Sequence, residues 1–155
     1  MDTSVFNFNP TTRVFSVSTS NIGKIGLYTI KITGYIFDPN KKASISFNVD
    51  IRDNCENVVL TKSADQTINY REKDPALLIN GFTFTRNIGT CGSFTYTCTD
   101  NLGNPIDTSI FTFNSATPSI TVQTNLVSHV NTYNLKVIGT LGTWGSAEIL
   151  VQVNI

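Results

Sequence analysis

The chain has 155 residues, of which 40% are apolar and only 14% are charged, and its basic and acidic side chains balance to a formal net charge of zero. This apolar content is enough to fill a hydrophobic core and excludes global disorder. The basic residues form no stripe that could follow a phosphate backbone, so nucleic acid is not an expected partner. No apolar run approaches the length that crosses a bilayer, so membrane insertion is not expected either.

Apolar and polar residues alternate along almost the whole chain, which predicts an all-β protein with no helical stretch. Residues 43–51 are typical, because every odd position from Ile45 to Ile51 is apolar. Thr, Val, Ile, Phe and Tyr fill such runs, and Gly, Pro, Asn and Asp separate them. In chain order, the expected strands are 5–9, 13–19, 27–37, 43–51, 57–62, 67–71, 78–86, 93–99, 109–114, 118–124, 132–141 and 146–155.

The sequence also repeats itself at an interval of about 105 residues, and the apolar character of the inward positions is kept in both copies. The matched segments are 2–9 with 107–114, 28–34 with 133–139 and, after one deletion, 45–51 with 149–155. The segment 52–106 occurs only once. We therefore expect two domains, namely the C-terminal half of a repeat over 1–51 and a complete repeat over 52–155.

The segment Gly-Leu-Tyr-Thr-Ile-Lys-Ile at 26–32 resembles the G-x-Y-x-L-x-V strand near the end of immunoglobulin-like, fibronectin-like and cadherin-like domains. In those domains a tyrosine opens the penultimate strand, with its ring in the core and its hydroxyl bonded to upstream backbone. The resemblance implies this structural part for Tyr28 and, in the second copy, for Tyr133, although Asn131 replaces the glycine there. It also implies an antiparallel immunoglobulin-like β-sandwich in one and a half tandem copies, with strands D to G over 1–51.

Three further features are similar to tandem repeats in very large surface or secreted proteins of ciliated protists. They are Asn54-Cys55 after a strand that ends in isoleucine, the segment 91–96, and the closing pattern Tyr-x-Leu/Ile-Lys-Val/Ile. This resemblance implies an extracellular or cell-surface localisation and a structural, adhesive or filament-forming role. A fold class does not by itself establish such a role.

The three cysteines are expected to differ in state. Cys98 shares a strand face with Phe94 and Tyr96, so we expect it in the core as a free thiol. Cys55 at the start of the complete copy and Cys91 at a turn would then be available to form a disulfide. The alternative is three unpaired buried thiols. Three cysteines and one distant histidine do not have the spacing of a zinc site.

Residues 50–54 faintly resemble the D-x-N-D-N linker that binds calcium between cadherin-like domains. However, Arg52 places a positive charge where that linker has a neutral oxygen ligand, and no companion D-R-E motif is present. A hard cation requires six to eight oxygen ligands. We therefore expect a solvated linker here, and no metal or cofactor.

The glycine-rich segment 139–145 is expected to be a hairpin turn, because neither a strand-to-helix junction nor a Lys-Ser/Thr pair follows it. Trp144, the only tryptophan, lies near the tip of that turn. Its indole either stacks on a sugar or a neighbouring domain, or packs back against its own sheet. His129 is the only histidine and has no Ser-His-Asp or Cys-His context, so the sequence predicts no catalytic site.

Residues 1–51 lack strands A to C and should therefore expose open sheet edges and an uncovered apolar face. The residues of that face are Phe6, Phe8, Ile30, Ile32, Phe47 and Val49. We expect β-strands from outside this half to complete it, above all those of an adjacent subunit, which would give a head-to-tail homopolymer. The alternative is that the chain is a window of a longer tandem array, whose upstream repeat supplies strands A to C covalently. A neutral surface weakly resists self-association and fits such assembly, although compositional bias of the genome would produce it too.

Two other functions remain open at this point. One is a cell-surface adhesin module that binds a glycan or a protein through its loops, with Trp144 as the contact. The other is a cytoplasmic scaffold, which only the expected disulfide argues against.

Overall fold

The computed structural model describes residues 2–36 and 38–155, with the backbone alone at 38–40. The chain divides into two compact units, Met1–Glu56 and Asn57–Ile155. No helix among the described residues is long and apolar enough to cross a membrane.

The first unit consists of two antiparallel hairpins. They pair β1 (Phe6–Asn9) with β2 (Val14–Val17), and β3 (Gly26–Ile36) with β4 (Asp38–Ile51). Val5, Phe6 and Ile30 form the buried centre of this unit. Partly buried apolar side chains of both hairpins surround that centre, so the two hairpins pack on each other through one face each.

The second unit contains nine strands. They are β5 (Leu60–Lys62), β6 (Gln66–Asn69), β7 (Leu77–Ile79), β8 (Phe84–Arg86), β9 (Thr95–Asp100), β10 (Phe111–Asn114), β11 (Ser119–Val122), β12 (Thr132–Thr140) and β13 (Ser146–Asn154). One sheet has the order β10-β11-β7, and the other has the order β6-β13-β12-β9 with β6 and β13 parallel. A further pair joins β5 to β8.

The core of the second unit lies between these sheets. The three-stranded sheet contributes Phe111 and Ile120, and the four-stranded sheet contributes Val137 and Ile149, all of them fully or almost fully buried. Two sheets that share one core through their inner faces form a β-sandwich. The expected all-β, immunoglobulin-like fold is therefore confirmed, with β11 paired to β7 in one sheet and β12 paired to β9 in the other.

The repeat extends to the register of the strands. Phe6 lies opposite Val17 in the first unit, as Phe111 lies opposite Val122 in the second. In the longer hairpins, Tyr28 lies opposite Val49 and Tyr133 lies opposite Val153. The one-residue difference in spacing is the deletion seen in the sequence, and it falls in the turn, so both ladders keep the same facing positions.

One expectation about secondary structure was wrong. The expected strand 78–86 is interrupted, and its two parts, β7 and β8, pair with different strands. Gly81 lies between them with a φ of +84°, a left-handed conformation that breaks a ladder. Outside the strands, three single 3-10 turns lie at Ile22–Lys24, Asn54–Asn57 and Val127–His129. Single turns are too short to produce a helical period.

Strand boundaries shifted as well. β4 begins at Asp38, five residues before the expected start at residue 43. The expected end of the preceding strand at residue 37 lies outside the described residues.

Candidate assembly surface

The same aspartate turn leads into β1 in the first unit and into its repeat counterpart β10 in the second. The Oδ1 atom of Asp2 accepts hydrogen bonds from the backbone N–H and the hydroxyl of Ser4, at 3.0 and 2.6 Å. Asp107 accepts the same two bonds from Ser109, at 2.9 and 2.6 Å. Asp and Ser close such turns because their short side chains bond to nearby backbone. The first unit therefore has the local structure of a repeat half.

The charge of these aspartates is stabilised in the folded chain. The Lys24 ammonium, 2.7 Å from Asp2, and the hydrogen bonds from Ser4 lower the pKa of Asp2 to about 2. The hydrogen bonds from Ser109 lower the pKa of Asp107. Each carboxyl group thus holds its turn best when it is ionised.

The two tyrosines implied by the resemblance bond to upstream backbone. The hydroxyl of Tyr28 donates to the carbonyl of Lys24 at 2.9 Å, and the hydroxyl of Tyr133 donates to the carbonyl of His129 at 3.0 Å. Both rings are partly buried. Burial, and to a lesser extent the charge of Asp107, raise the pKa of Tyr133. Each hydroxyl fixes the 3-10 turn that precedes its strand.

Phe6 does not belong to an uncovered face, which corrects the sequence-based expectation. Its ring meets that of Tyr28 edge to face, with centroids 5.0 Å apart at 68°, as Phe111 meets Tyr133 at 5.2 Å and 74°. Phe6 is 2% exposed and Ile30 is 8% exposed. Both lie where the two hairpins pack on each other, so they form the centre of the first unit's own core.

In the hairpin of β3 and β4, beyond Ile30, side chains on the inward face are exposed to solvent. Ile45 is 64% exposed, whereas its repeat equivalent Ile149 is completely buried. On the smaller hairpin, Val17 is 41% exposed and its equivalent Val122 is completely buried. Matched positions with the same strand register therefore differ only in whether other strands cover them.

The other residues expected on the uncovered face are intermediate in burial. Ile32, Phe47, Val49 and Phe8 are partly buried. Ile32 and Phe47 correspond to Val137 and Val151, which are 0% and 1% exposed in the second unit. We refer to Val17, Ile32, Ile45 and Phe47 as the open face. Sequence reasoning left Val17 and Ile45 out of the assembly residues, although the repeat alignment placed Ile45 opposite the core position Ile149.

The edges of the first unit show the same contrast. In the second unit, β11 is bordered by β7, β12 by β9 and β13 by β6. Their counterparts β2, β3 and β4 pair only within their own hairpins among the described residues. Each of them has an edge whose backbone N–H and C=O groups are free of ladder bonds within this unit.

The cysteines fall into two states. Cys55 and Cys91 are disulfide-bonded, and Cys98 is a free cysteine. Cys98 packs against the core of the second unit, and this burial raises the pKa of its thiol to about 12. A thiol held in its neutral form is a poor nucleophile and a poor metal ligand.

The other singled-out residues have structural surroundings. Arg52 forms an ion pair with Asp50 at 2.6 Å, so its positive charge lies directly on one carboxylate of the segment that resembles a calcium linker. The described residues contain no group of three His, Cys, Asp or Glu side chains that could hold a metal ion. Nδ1 of His129 lies 2.7 Å from the hydroxyl of Thr124. Trp144 is 36% exposed in the turn between β12 and β13.

The sequence matches no described protein family and no curated protein. Among solved structures, it is similar to mouse cadherin-23 EC22-24, with a TM-score of 0.51 at 20% identity over 97% of this chain and 49% of that one. The fold is that of cadherin extracellular domains.

Two further structures show the same cadherin-like fold. Protocadherin gamma B2 extracellular cadherin domains 1-5 give a TM-score of 0.51 at 16% identity, over 97% of this chain and 30% of that one. PcdhgB3 EC1-4 gives 0.52 at 16% identity, over 97% and 38%. The chain therefore spans less than half the length of each cadherin structure.

Proposed function

We propose that this chain is a non-enzymatic, extracellular structural protein, a repeat subunit of a fibre or scaffold that assembles head-to-tail by β-strand complementation. The observation that carries the proposal is the contrast at matched positions. Ile45 is 64% exposed where Ile149 is fully buried, on strands of the same register. Residues that are core in one copy and surface in the other indicate that the first unit is covered in its working state.

The extracellular setting is supported by two features. One is the disulfide-bonded state of Cys55 and Cys91, since disulfides persist in oxidising compartments and are rare in the cytosol. The other is the cadherin-like fold, which the matched structures use in extracellular domains. The sequence resemblance to large surface or secreted proteins of ciliated protists agrees with both.

Strand addition is the form of assembly that the open edges favour. A new strand on β2, β3 or β4 would satisfy backbone groups and cover the open face at the same time. A head-to-tail contact of this kind joins different surfaces of successive subunits and generates filaments when it does not close into a ring. Residues 1–155 contain two D–G halves and one A–C half, and that A–C half already covers the second unit. The A–C half that completes the first unit therefore comes from a further repeat, carried by a neighbouring subunit or placed upstream in the same polypeptide.

Self-association of the full chain tests the proposal. Sedimentation velocity and electron microscopy over increasing protein concentration should show growing head-to-tail polymers. Replacing Ile45 by Lys should suppress them, because it places a charge on the open face. Leu27→Lys is the matched control: Leu27 is 68% exposed and lies one position from Tyr28, on the opposite face of β3. A chain that stays monomeric at all concentrations, or polymers that Ile45→Lys leaves unchanged, would contradict head-to-tail assembly through this face.

The alternative function is a cell-surface adhesin module, and the exposure of Trp144 favours it. An exposed indole in a hairpin turn can stack on a sugar ring or a partner's side chain. Glycan-array binding that is present in the wild type and lost in Trp144→Ala would support this function. Polymers that form equally well with Trp144→Ala would support the structural one.

A further inference from the structure

Gly139 in the second unit is a contact point between strands. It is buried on β12, on the same face as Val137. A Cβ atom built on Gly139 would lie 2.7 Å from two carbon atoms of the Phe84 ring, a distance that real Cβ atoms essentially never show. The ring of Phe84, brought by β8, therefore occupies the space that a side chain at residue 139 would need.

Gly34 is the counterpart of Gly139 in the first unit. It has the same position on β3, and its cross-strand partner is also the same, because Gly34 lies opposite Ala43 and Gly139 lies opposite Ala147. Both copies thus have a pair of small residues at this place. In the second unit that pair leaves room for an aromatic ring.

Among the described residues of the first unit, nothing fills this room. Apart from the two chain neighbours, none of their atoms lies within 4 Å of a Cβ atom built on Gly34, and the backbone of Gly34 is not in the left-handed region that favours glycine. Glycine weakens a strand interior and often marks close approach by a ligand or another chain. Its backbone conformation does not explain the glycine here. A cavity of about 430 Å³, whose walls include Gly34, Ile36 and Ala43, lies at this end of the hairpin.

We propose that Gly34 is the floor of an aromatic socket that receives a ring from a β-strand of a neighbouring subunit. The occupant is an unpaired A–C half of the same repeat type, with an aromatic side chain at the position of Phe84. This inference rests on the proposed strand complementation and adds the chemistry of the incoming strand. The second unit supplies its template, since β8 brings the ring of Phe84 onto Gly139.

The socket also explains where the open face lies. In the second unit, Phe84 contacts Phe94 and Tyr96, with centroids 6.0 and 5.6 Å apart, so the incoming segments bring an aromatic cluster with them. Without such a cluster, Ile45, two positions from Ala43 on β4, stays exposed. Aromatic side chains that enter pockets carry a large share of interface energy.

A synthetic peptide of residues 57–106 with serine at both cysteine positions is the probe. It is titrated into the full chain by isothermal titration calorimetry, and hydrogen exchange locates its binding. We expect binding with added protection at β3 and β4, and binding weakened at least about tenfold when the peptide carries Phe84→Ala. In the full chain, Gly34→Val should weaken binding similarly without lowering the thermal midpoint, because its side chain enters open space. Thr33→Val is the matched control, since Thr33 lies on the other face of the same strand.

The outcomes separate the socket from the assembly proposal. Binding at β3 and β4 that neither Phe84→Ala in the peptide nor Gly34→Val in the chain weakens would overturn the socket while leaving strand complementation in place. A chain that shows neither binding nor added protection would overturn both. A loss of binding with Thr33→Val equal to that with Gly34→Val would also overturn the socket, because the effect would then come from the strand and not from its inward face.

Discussion

The ring of Phe84 fills the space that a side chain at Gly139 would need, because a Cβ atom added to Gly139 would lie 2.7 Å from the ring. We therefore expect Gly139→Ala to destabilise the second unit by about 1–3 kcal/mol through overpacking. Urea denaturation followed by the fluorescence of Trp144, which lies in the second unit, measures this. The matched change Gly34→Ala, followed by far-UV circular dichroism because Gly34 lies in the first unit, should cause no such loss. An equal loss in both variants would show that glycine is needed for the strand itself.

The Tyr133 hydroxyl should stabilise the second unit through a single hydrogen bond. Tyr133→Phe removes the donor to the His129 carbonyl, and we expect a loss of about 1 kcal/mol. Tyr133→Ala also removes the ring that packs on Phe111 and should cost about 3 kcal/mol. The free energy of unfolding from urea titrations decides both values. An unchanged midpoint for Tyr133→Ala would contradict the structural part assigned to this residue.

The pairing of Cys55 with Cys91 in one disulfide remains a prediction. We expect non-reducing peptide mapping to find Cys55 linked to Cys91, with stabilisation of roughly 3–4 kcal/mol in the chain-entropy model. A peptide that links Cys91 to Cys98 would contradict this assignment.

The thiol of Cys98 should not react with alkylating agents in the native protein. Its burial raises the pKa of the thiol to about 12, so at pH 8 almost none of it is thiolate. Mass spectrometry after iodoacetamide treatment should show no native labelling of Cys98 and complete labelling in urea. Rapid alkylation of the folded chain would show that this thiol is reached by solvent.

Acid should weaken both aspartate turns. The folded-state pKa values of Asp2 and Asp107 lie below the unfolded value of about 3.9, so their contribution is present at neutral pH and is lost as the pH falls through the folded value. For Asp2 that window runs from about pH 4 to about 2. Thermal unfolding of Asp107→Asn should depend less on pH there than that of the wild type. Parallel pH profiles would contradict the expectation.

The sequence predicted the strands wherever one face is buried along an uninterrupted run. Alternation at 43–51 and at 146–155 led directly to β4 and β13. It could not reveal that Gly81 divides one run between β7 and β8, because a left-handed residue leaves no trace in the period. It also could not distinguish Phe6 from Ile45. Both are inward, and only the packing of one hairpin on the other decides which of them is covered.

The site was partly visible in the sequence. The single occurrence of 52–106 indicates open edges, but the sequence alone identifies Gly34 only as one residue of a repeated segment. Its meaning depends on a contact that exists in the other copy, between residues 55 positions apart (139 − 84 = 55) on strands that are not adjacent in sequence. A glycine kept at matched positions of a repeat, opposite an alanine in both, is the signal that could have identified it.

The parallel pairing of β6 with β13 has a mechanical consequence. Force applied between the start of the second unit and residue 155 would pull β6 toward its beginning and β13 toward its end. In a parallel pair this loads the ladder along the strands, so the register from Val151 opposite Gln66 to Asn154 opposite Asn69 must rupture as a unit. The hairpin of β3 and β4, pulled at its two open ends, would instead unzip one residue pair at a time. Under tension, the second unit should therefore resist unfolding through shear of this strand pair.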